Sequence, residues 1–393
     1  MSVAASIKEL FTTNLHQSGI YIAFVAIVAL FAVLTNGVSL GPTNLTNLVL
    51  QYSYILILAI GMVMVIIAGH IDLSVGAVVA VVGAVAAVLV VKNQMPWWVG
   101  ILAGLAVGVL IGAWQGFWVA FVGIPAFIVT LAGMLLFRGL AYLVLSSVSL
   151  GPFGAPFTYL AAGFQNGLLG GPGYDVFTLV IFGVAVVGYA WGQWRSRRAR
   201  IAYQQTVQPI ALFAVQIALV AAVVMWFAWR LANSRGLPNV LILLAVLILA
   251  YGLVTTRTVF GRHVYALGGN RTAAALSGVK TKWVNFGVML NMGVLASVAG
   301  LVFASRSNAA QPGAGNMFEL DAIAACFIGG AAVTGGIGTV PGAMVGGLIM
   351  GVMSNGMQLI GVETPVQQVV KGLVLLLAVA FDIYNKSRSG GGS

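Results

Sequence analysis

Residues 261–278 read Gly-Arg-His-Val-Tyr-Ala-Leu-Gly-Gly-Asn-Arg-Thr-Ala-Ala-Ala-Leu-Ser-Gly, a polar and basic stretch in a chain that is otherwise almost continuously apolar. Asn270 is a residue type that caps helix N-termini, and the run from Ala273 to Leu276 favours helix. Gly278 can adopt the left-handed conformation that ends a helix. The pattern predicts a short helix that stands outside the apolar part of the molecule.

The predicted short helix has the features of a docking segment. Its alanines are small enough to enter a cleft on another protein, while Arg262, Arg271, Lys280 and Lys282 favour the cytoplasmic side of a membrane. We therefore predict that the segment contacts a cytoplasmic partner. The residues assigned to it are Gly261, Arg262, Gly268, Gly269, Asn270, Arg271, Ala273, Ala274, Leu276, Ser277 and Gly278.

The composition excludes a soluble globular protein. Hydrophobic residues make up 61% of the chain and charged residues 6%, which is too little charge to build a water-facing surface. The net charge of +11 does not indicate nucleic-acid binding, because most basic residues lie in short loops beside apolar segments. The single cysteine, Cys326, allows no internal disulfide, and His70 has no second ligand at metal-binding spacing.

The apolar segments predict an all-α protein with about twelve transmembrane helices, at roughly 20 residues for each crossing. The expected spans are 20–37, 46–68, 73–91, 97–121, 124–146, 176–194, 208–230, 238–256, 283–305, 320–334, 340–360 and 366–384. Glycines between Gly329 and Gly351 could break the late spans into half-crossings. Asp72 and Asp321 fall on opposite sides, each between the first and second helices of a possible four-helix unit. This placement suggests an inverted repeat that pairs spans 2–5 with spans 9–12, with a pathway between the two halves.

The distribution of Lys and Arg predicts the orientation. Lys8, the cluster at 195–200, the basic residues of 257–282, and Lys386 with Arg388 fall on the same side when the N-terminus is cytoplasmic. Few basic residues fall on the opposite side. The positive-inside rule then places both termini in the cytoplasm.

Glycines at 100, 104, 108, 112 and 116 recur at intervals of four and line one face of the fourth span. Such a face lets a neighbouring helix approach closely, so we interpret it as a packing surface. A surface that slides during gating is the alternative.

Four polar residues within the spans are candidates for a substrate path. Arg138 is costly in a membrane and should face protein or a wet cavity, where it makes an ion pair or contacts substrate. Uncharged amides could pair with sugar hydroxyls without holding them tightly, although each could equally join helices. The candidates are Arg138, Asn291, Asn355 and Gln358.

Several acidic and polar residues are predicted to cap helices. Asp72 lies where the third span begins, although an intramembrane carboxylate can also relay protons or bind a cation. Asn316-Met-Phe-Glu319 and Thr364-Pro-Val-Gln367 have the spacing of capping boxes, and Asp321 adds a negative charge to a helix N-terminus. The cap residues are Asp72, Asn316, Glu319, Asp321 and Thr364.

The chain has no sequence for ATP hydrolysis. No lysine directly follows a glycine, so the Gly-Lys of a phosphate-binding loop is missing. We therefore expect a transport subunit rather than an enzyme, with no bound cofactor or metal of its own. An integral-membrane transferase would need a cluster of acidic residues or histidines that Asp72 and His70 do not provide.

Residues 61–76, 127–139, 261–278 and 319–330 together resemble the permease subunits of bacterial ABC sugar importers of the ribose/xylose/arabinose/galactose type. The similarity runs in order over nearly the whole chain. It implies a ten-helix core like that of the vitamin-B12 importer, and the pair 176–230 looks like an addition to that core. It also implies that 261–278 is the loop that couples the permease to its motor.

The resemblance further implies the partners of the chain. These are a second copy of itself, a cytoplasmic ABC ATPase that holds ATP and Mg, and a periplasmic or lipid-anchored sugar-binding protein. The expected cargo is a monosaccharide, D-xylose or a related pentose, carried across the bacterial inner membrane. The alternative is a facilitator or an ion-coupled carrier that works without an ATPase.

These expectations give one transmembrane permease domain over 1–393. Within it we predict a cytoplasmic N-terminus at 1–19, spans 1–5 with an outer loop at 20–175, and the extra helical pair at 176–230. The coupling loop follows at 257–282. The second repeat occupies 283–384, and 385–393 is a flexible tail.

Overall fold

The computed structural model describes residues 15–205 and 207–389, with side chains described over 19–205 and 207–380. The chain is almost entirely helical. Its helices are α1 Leu15–Leu34, α2 Pro42–Ile67, α3 Val75–Ala87, α4 Trp97–Phe117, α5 Ala126–Val144, α6 Ala155–Ala162, α7 Val176–Ala202, α8 Ile210–Ala232, α9 Asn239–Arg257, α10 Val259–Gly269, α11 Arg271–Leu276, α12 Thr281–Ser307, α13 Phe318–Ile328, α14 Val340–Leu359 and α15 Thr364–Ser389.

Two short strands, β1 Phe164–Gln165 and β2 Leu237–Pro238, pair antiparallel beside the start of α9. Turns of π-helix, Val88–Lys92 and Trp118–Val122, extend α3 and α4. The predicted N-terminal segment 1–19 lies mostly outside the described residues, as do Lys8 and the side chains of Lys386 and Arg388. The predicted tail 385–393 begins inside α15, which continues to Ser389.

Nine helices in the described part of the chain are long and apolar enough to cross a membrane. Gly19–Leu34 and Thr364–Ala380 are shorter apolar helices. Each of the predicted spans has a matching helix, but span 320–334 does not form as expected, because α13 ends at Ile328. Gly330 and Gly335 follow with φ of 88° and 82°, a left-handed backbone that helices do not continue through. The expected half-crossing is therefore present.

The core is built around α2 and α12. Almost every side chain of α2 from Ile55 to Ile67 is buried. The glycine face of α4 packs against α12 so closely that a methyl group on Gly108 or Gly293 would overlap the main chain of the opposite helix. This close approach supports the packing interpretation of the glycine stripe.

The short helices α3 and α13 begin against each other. A methyl group on either Gly76 or Gly315 would overlap the carbonyl of the other residue, so the two N-termini meet main chain to main chain. By contrast, α7 and α8 pack mainly on each other and leave most of their side chains exposed, as expected for an addition to a core.

Candidate coupling loop and outer cavity

The short helix predicted within 261–278 is present as α11. Oδ1 of Asn270 accepts a hydrogen bond from the backbone N–H of Ala273 at 2.9 Å, and Gly278 has φ of 86° after the helix ends. Both local predictions are confirmed. Sequence reasoning missed α10, which precedes α11 and is capped by Thr258 through the N–H of Gly261 at 3.1 Å.

Only part of the predicted docking segment faces outward. Arg262, Gly269, Asn270 and most of α11 are exposed, and Leu276 at the end of α11 is 85% exposed. The exposed members of the segment are Arg262, Gly269, Asn270, Arg271, Ala273, Leu276, Ser277 and Gly278.

Ala274 does not belong to the outward face, which corrects the prediction. Its side chain is only 5% exposed, because it faces the rest of the chain across the single turn of α11. Gly261 and Gly268 also serve packing: a methyl group on Gly261 would overlap the carbonyls of Val254 and Thr255. A docking surface must therefore be built from the remaining, exposed residues.

The coupling loop rests on two other segments at a contact that we call the loop junction, formed by Ile67, Tyr265, Gly268, Gly336 and Gly338. A methyl group on Gly268 would overlap the carbonyl of Ile67. That carbonyl accepts a hydrogen bond from the N–H of Gly336 at 2.8 Å. Tyr265 Oη donates to the carbonyl of Gly338 at 2.6 Å. The loop junction thus joins α10 to the end of α2 and to the segment that leads into α14.

His70 lies beside the loop junction in the segment that follows α2. Its Nε2 is 2.8 Å from Oδ1 of Asn285 on α12. Burial lowers the pKa of His70, the hydrogen bond to Asn285 opposes that shift, and the positive charge of Arg271 adds to it. The imidazole is therefore kept neutral at neutral pH.

The four candidates for the substrate path do not lie together. Arg138 donates to the carbonyls of Pro312, at 3.2 Å, and Ala314, so it holds the segment before α13 by main-chain hydrogen bonds. Asn291 accepts a hydrogen bond from Tyr251 on α9. These two side chains join elements of the fold.

Asn355 is also engaged within the fold. It exchanges two hydrogen bonds with the side chain of Asn44, at 2.8 and 3.1 Å, and is 7% exposed. This amide pair joins α14 to α2. Of the four candidates, Gln358 is the one that lines a cavity.

Asp72 closes a turn before α3 instead of capping the helix directly. Its Oδ1 accepts from the N–H and Oγ of Ser74, at 2.8 and 2.7 Å, and Ser74 is the N-cap residue of α3. Gln115 Nε2 donates to Ser74 Oγ at 2.5 Å and extends the buried network to α4. The carboxylate therefore satisfies an amide just before the helix.

The predicted capping box at Asn316–Glu319 is wrong. The N-cap residue of α13 is Met317, with φ of 66°, and no side chain there accepts a cap hydrogen bond. The left-handed residue turns the chain so that Asn316 precedes the cap position. Glu319 is buried, and its Oε2 has no hydrogen-bond partner among the described residues.

Asp321 places its charge at a helix N-terminus as predicted, whereas Thr364 differs from expectation. Asp321 lies in the first turn of α13, but its carboxylate pairs with Lys371 on α15, whose Nζ is 3.0 and 3.1 Å from the two oxygens. Helix α15 starts at Thr364 itself, and Gln367 Nε2 donates to the carbonyl of Val362 at 2.8 Å. That donor role differs from the acceptor role a capping box requires.

A cavity of about 450 Å³ lies among α2, α12, α13, α14 and α15, and we call it the outer cavity. Arg306 lies in the last turn of α12, which starts at the coupling loop, so the cavity is at the far end of the helices from that loop. Its polar and aromatic lining residues include Gln51, Tyr52, Arg306, Asp321, Gln358 and Lys371. Sequence reasoning found only Gln358 as a lining residue. The signal it missed is the face of α15 with Thr364, Gln367, Gln368 and Lys371 at helical spacing.

The many apolar helices and the protruding coupling loop define a polytopic membrane protein of the permease class. Residues 44–379 match the family model described as the permease component of the branched-chain amino acid transport system, and the chain belongs to this family. No solved structure matches the chain significantly.

Curated relatives match over nearly the full length. The chain is 40% identical over 381 residues to the xylose transport system permease protein XylH of Haemophilus influenzae, covering 97% of this chain and 99% of the relative. It is 40% identical to XylH of Escherichia coli K12, covering 96% and 94%. The ribose import permease protein RbsC of Escherichia coli K12 is 33% identical, with 92% of each chain covered. The family resemblance inferred from the sequence motifs is confirmed.

Proposed function

We propose that the chain is the membrane-spanning subunit of an ATP-driven importer and forms the path for a monosaccharide, D-xylose or a related pentose. The observation that carries the proposal is the similarity to xylose permeases over 97% of the chain. The capped, exposed helix α11 supports it, because a subunit without a phosphate-binding loop needs a contact through which another protein can move it.

The expected partners follow from the same proposal. A cytoplasmic ABC ATPase binds ATP and Mg and receives the exposed part of the coupling loop, and an extracytoplasmic binding protein delivers the sugar at the other side. Two copies of the permease pack together, and the path for the sugar lies between the two copies. Both termini face the cytoplasm of a bacterial inner membrane, as the excess of Lys and Arg on the coupling-loop side favours.

The proposed core has ten helices arranged like those of the vitamin-B12 importer, and α7 and α8 are added to it to give twelve crossings. The exposed side chains of α7 and α8 support their assignment as an addition to the core. Two repeats of opposite orientation then meet where α3 and α13 begin.

The loop junction suggests how motion passes from the ATPase to the path. Helix α2 has Ile67 at the loop junction and Tyr52 at the outer cavity, a distance of about 22 Å at the rise of an α-helix. Helix α14 follows Gly338 of the loop junction and carries Gln358 at the outer cavity. A displacement of α10 would therefore tilt two helices that also line the outer cavity.

Uptake of radiolabelled D-xylose into proteoliposomes tests the proposal. We expect uptake only when the permease, its ATPase, its binding protein and ATP are all present, and we expect xylose to be preferred over hexoses. Uptake by the permease alone would instead identify a facilitator or an ion-coupled carrier and would contradict the role of the coupling loop.

A further inference from the structure

The outer cavity combines the groups that recognise a sugar. Gln51, Gln358 and Gln368 carry amides that both donate and accept hydrogen bonds, Asp321 accepts and Lys371 donates. Sugar hydroxyls also do both, so this mixture can pair with several of them at once. The volume of about 450 Å³ is within the range for small-molecule sites and exceeds what one monosaccharide needs.

One lining atom lacks a partner. Oε1 of Gln51 is buried and accepts no hydrogen bond from the described residues. Leaving such an acceptor unpaired costs about 1–3 kcal/mol. Because this atom is buried, the side chain of Gln51 has to rotate toward the cavity before its amide can pair with a hydroxyl there.

An aromatic ring supplies the apolar surface that the C–H face of a sugar needs. Tyr52 lines the outer cavity, and its ring lies directly over Gly351 of α14, where a Cβ would be 3.0 Å from the ring. Tyr54 is stacked on Phe318 with ring centroids 4.7 Å apart and also packs edge-to-face with Phe303, so its ring is held by the protein. Tyr52 is the ring that is placed to meet a ligand.

The outer cavity also contains a pair of charged side chains. The Asp321–Lys371 pair is partly exposed, 16% and 23% respectively, and joins α13 to α15 in the wall of the cavity. Charged side chains within membrane-spanning segments line substrate paths or wet cavities far more often than they face lipid. Deeper along the same helices the lining becomes apolar, with Ala324, Met350 and Leu375, which belong to one hydrophobic cluster. The cavity is therefore polar at its mouth and closed at its floor.

We propose that the outer cavity is the site where the permease first holds the monosaccharide, with Gln51, Gln358 and the Asp321–Lys371 pair bound to its hydroxyls and Tyr52 against its ring. This assignment rests on the proposed function. A larger cavity of about 730 Å³ near the coupling loop is lined by glycines, apolar side chains and the hydroxyls of Tyr and Thr residues, and it has neither the amides nor the charged pair of the outer cavity.

Cysteine labelling tests whether sugar enters the outer cavity. The one native cysteine, Cys326, is fully buried, so a membrane-impermeant maleimide should give little background. L320C, at a lining residue that is 41% exposed and has no proposed contact with the sugar, is placed in the assembled importer in proteoliposomes. It is labelled from outside, with free D-xylose or with sucrose at the same concentration. We expect labelling of L320C that xylose slows by more than about threefold and that sucrose leaves unchanged.

L168C is the matched control, because Leu168 is 60% exposed in the loop before α7 and does not line the cavity. Its labelling should be the same in both sugars. No labelling of L320C would mean that lipid or a second copy fills the cavity, and equal labelling in both sugars would mean that sugar does not bind there. Either result would overturn the assignment.

Uptake assays separate this assignment from the proposed function. Q51L and Q358L should each lower xylose uptake about tenfold, because each removes a hydrogen bond to the sugar. Co-purification of the ATPase with either variant should be unchanged, because both side chains lie at the end of the helices away from the coupling loop. Q216L, on α8, makes the same chemical change outside the cavity and should be silent.

The two possible failures look different. If the unmodified complex shows no ATP-dependent uptake, the proposed function fails. If that complex transports xylose and Q51L and Q358L transport it equally well, only the assignment of the outer cavity fails.

Discussion

The loop junction and the outer cavity lie at opposite ends of α2 and α14 and are built from different parts of the chain. The loop junction is made largely of main chain, with glycines at 268, 336 and 338, and leaves no room for a methyl group on Gly268. The outer cavity is made of side chains around an open volume. Close main-chain contact suits the transfer of motion, because packed interfaces do not deform continuously. Side chains with room to adjust suit the brief holding of a ligand.

The largest expected effect comes from filling the loop junction. In Gly268→Ala the new methyl group would overlap the carbonyl of Ile67, and neither helix can shift without breaking the hydrogen bond from Gly336. Overpacking of this kind costs about 1–3 kcal/mol or more. We expect uptake to be lost and the melting temperature of the purified permease to fall.

The neighbouring Gly269→Ala is the control for that variant. No atom lies within 4 Å of a Cβ built at Gly269, so the same methyl group has open space one residue away. It should transport normally. If both variants behave alike, the loop junction does not depend on the close approach of main chain.

The second prediction addresses the outward face of the coupling loop. Leu276→Asp places a charge on the most exposed apolar side chain of α11, and we expect association with the ATPase to weaken about 100-fold, as for a central interface residue. Co-purification and surface plasmon resonance measure the loss. Leu168→Asp, on the exposed outer loop, should leave association unchanged, and unchanged binding of Leu276→Asp would remove α11 from the interface.

Breaking the Asp321–Lys371 ion pair of the outer cavity should have a smaller effect, which depends on whether one charge or both are removed. Asp321→Asn or Lys371→Met leaves one charge unpaired in a membrane-spanning segment, whereas the double variant removes both charges. We expect a coupling of about 1–2 kcal/mol in a double-mutant cycle of stability, since the pair is partly solvated. Additive effects would show that the two side chains do not stabilise each other, whatever their role toward sugar.

The sequence predicts features that depend on residues close together in the chain better than it predicts distant contacts. Helix α11 was predictable because its determinants, Asn270 and Gly278, act within one turn. The burial of Ala274 was not, because it depends on how α11 lies against the rest of the chain. The contacts of the path candidates within the fold were not predictable for the same reason: the partner of Asn355 is Asn44, which lies 311 residues away in the sequence. The sequence around an amide side chain does not show whether that side chain pairs with another amide or contacts a ligand.

The partners of the charged residues were also not predictable from the sequence. Lys371 and Asp321 are 50 residues apart, and nothing local indicates that α15 brings them together. Arg138 was correctly expected to face protein, yet its partners are carbonyls of the segment before α13, which no residue-type rule would select. What the sequence does establish is which segments form the long apolar helices.

The smallest expected effect concerns pH at the loop junction. The pKa of His70 is lowered in the folded protein by burial, so the unfolded chain binds the proton more readily. Stability should therefore be complete above about pH 6.5, the ordinary pKa of histidine, and should decline as the pH falls below it. The loss by pH 5.5 should be about 1 kcal/mol or less, since only one group contributes.

His70→Asn removes the titrating group and retains a side chain that can hydrogen-bond to Asn285. Melting temperatures at pH 7.5 and 5.5 should differ less in this variant than in the unmodified permease, and His263→Asn, in α10, serves as the control for a second histidine. An equal pH dependence in the unmodified protein and in His70→Asn would place the sensitivity elsewhere.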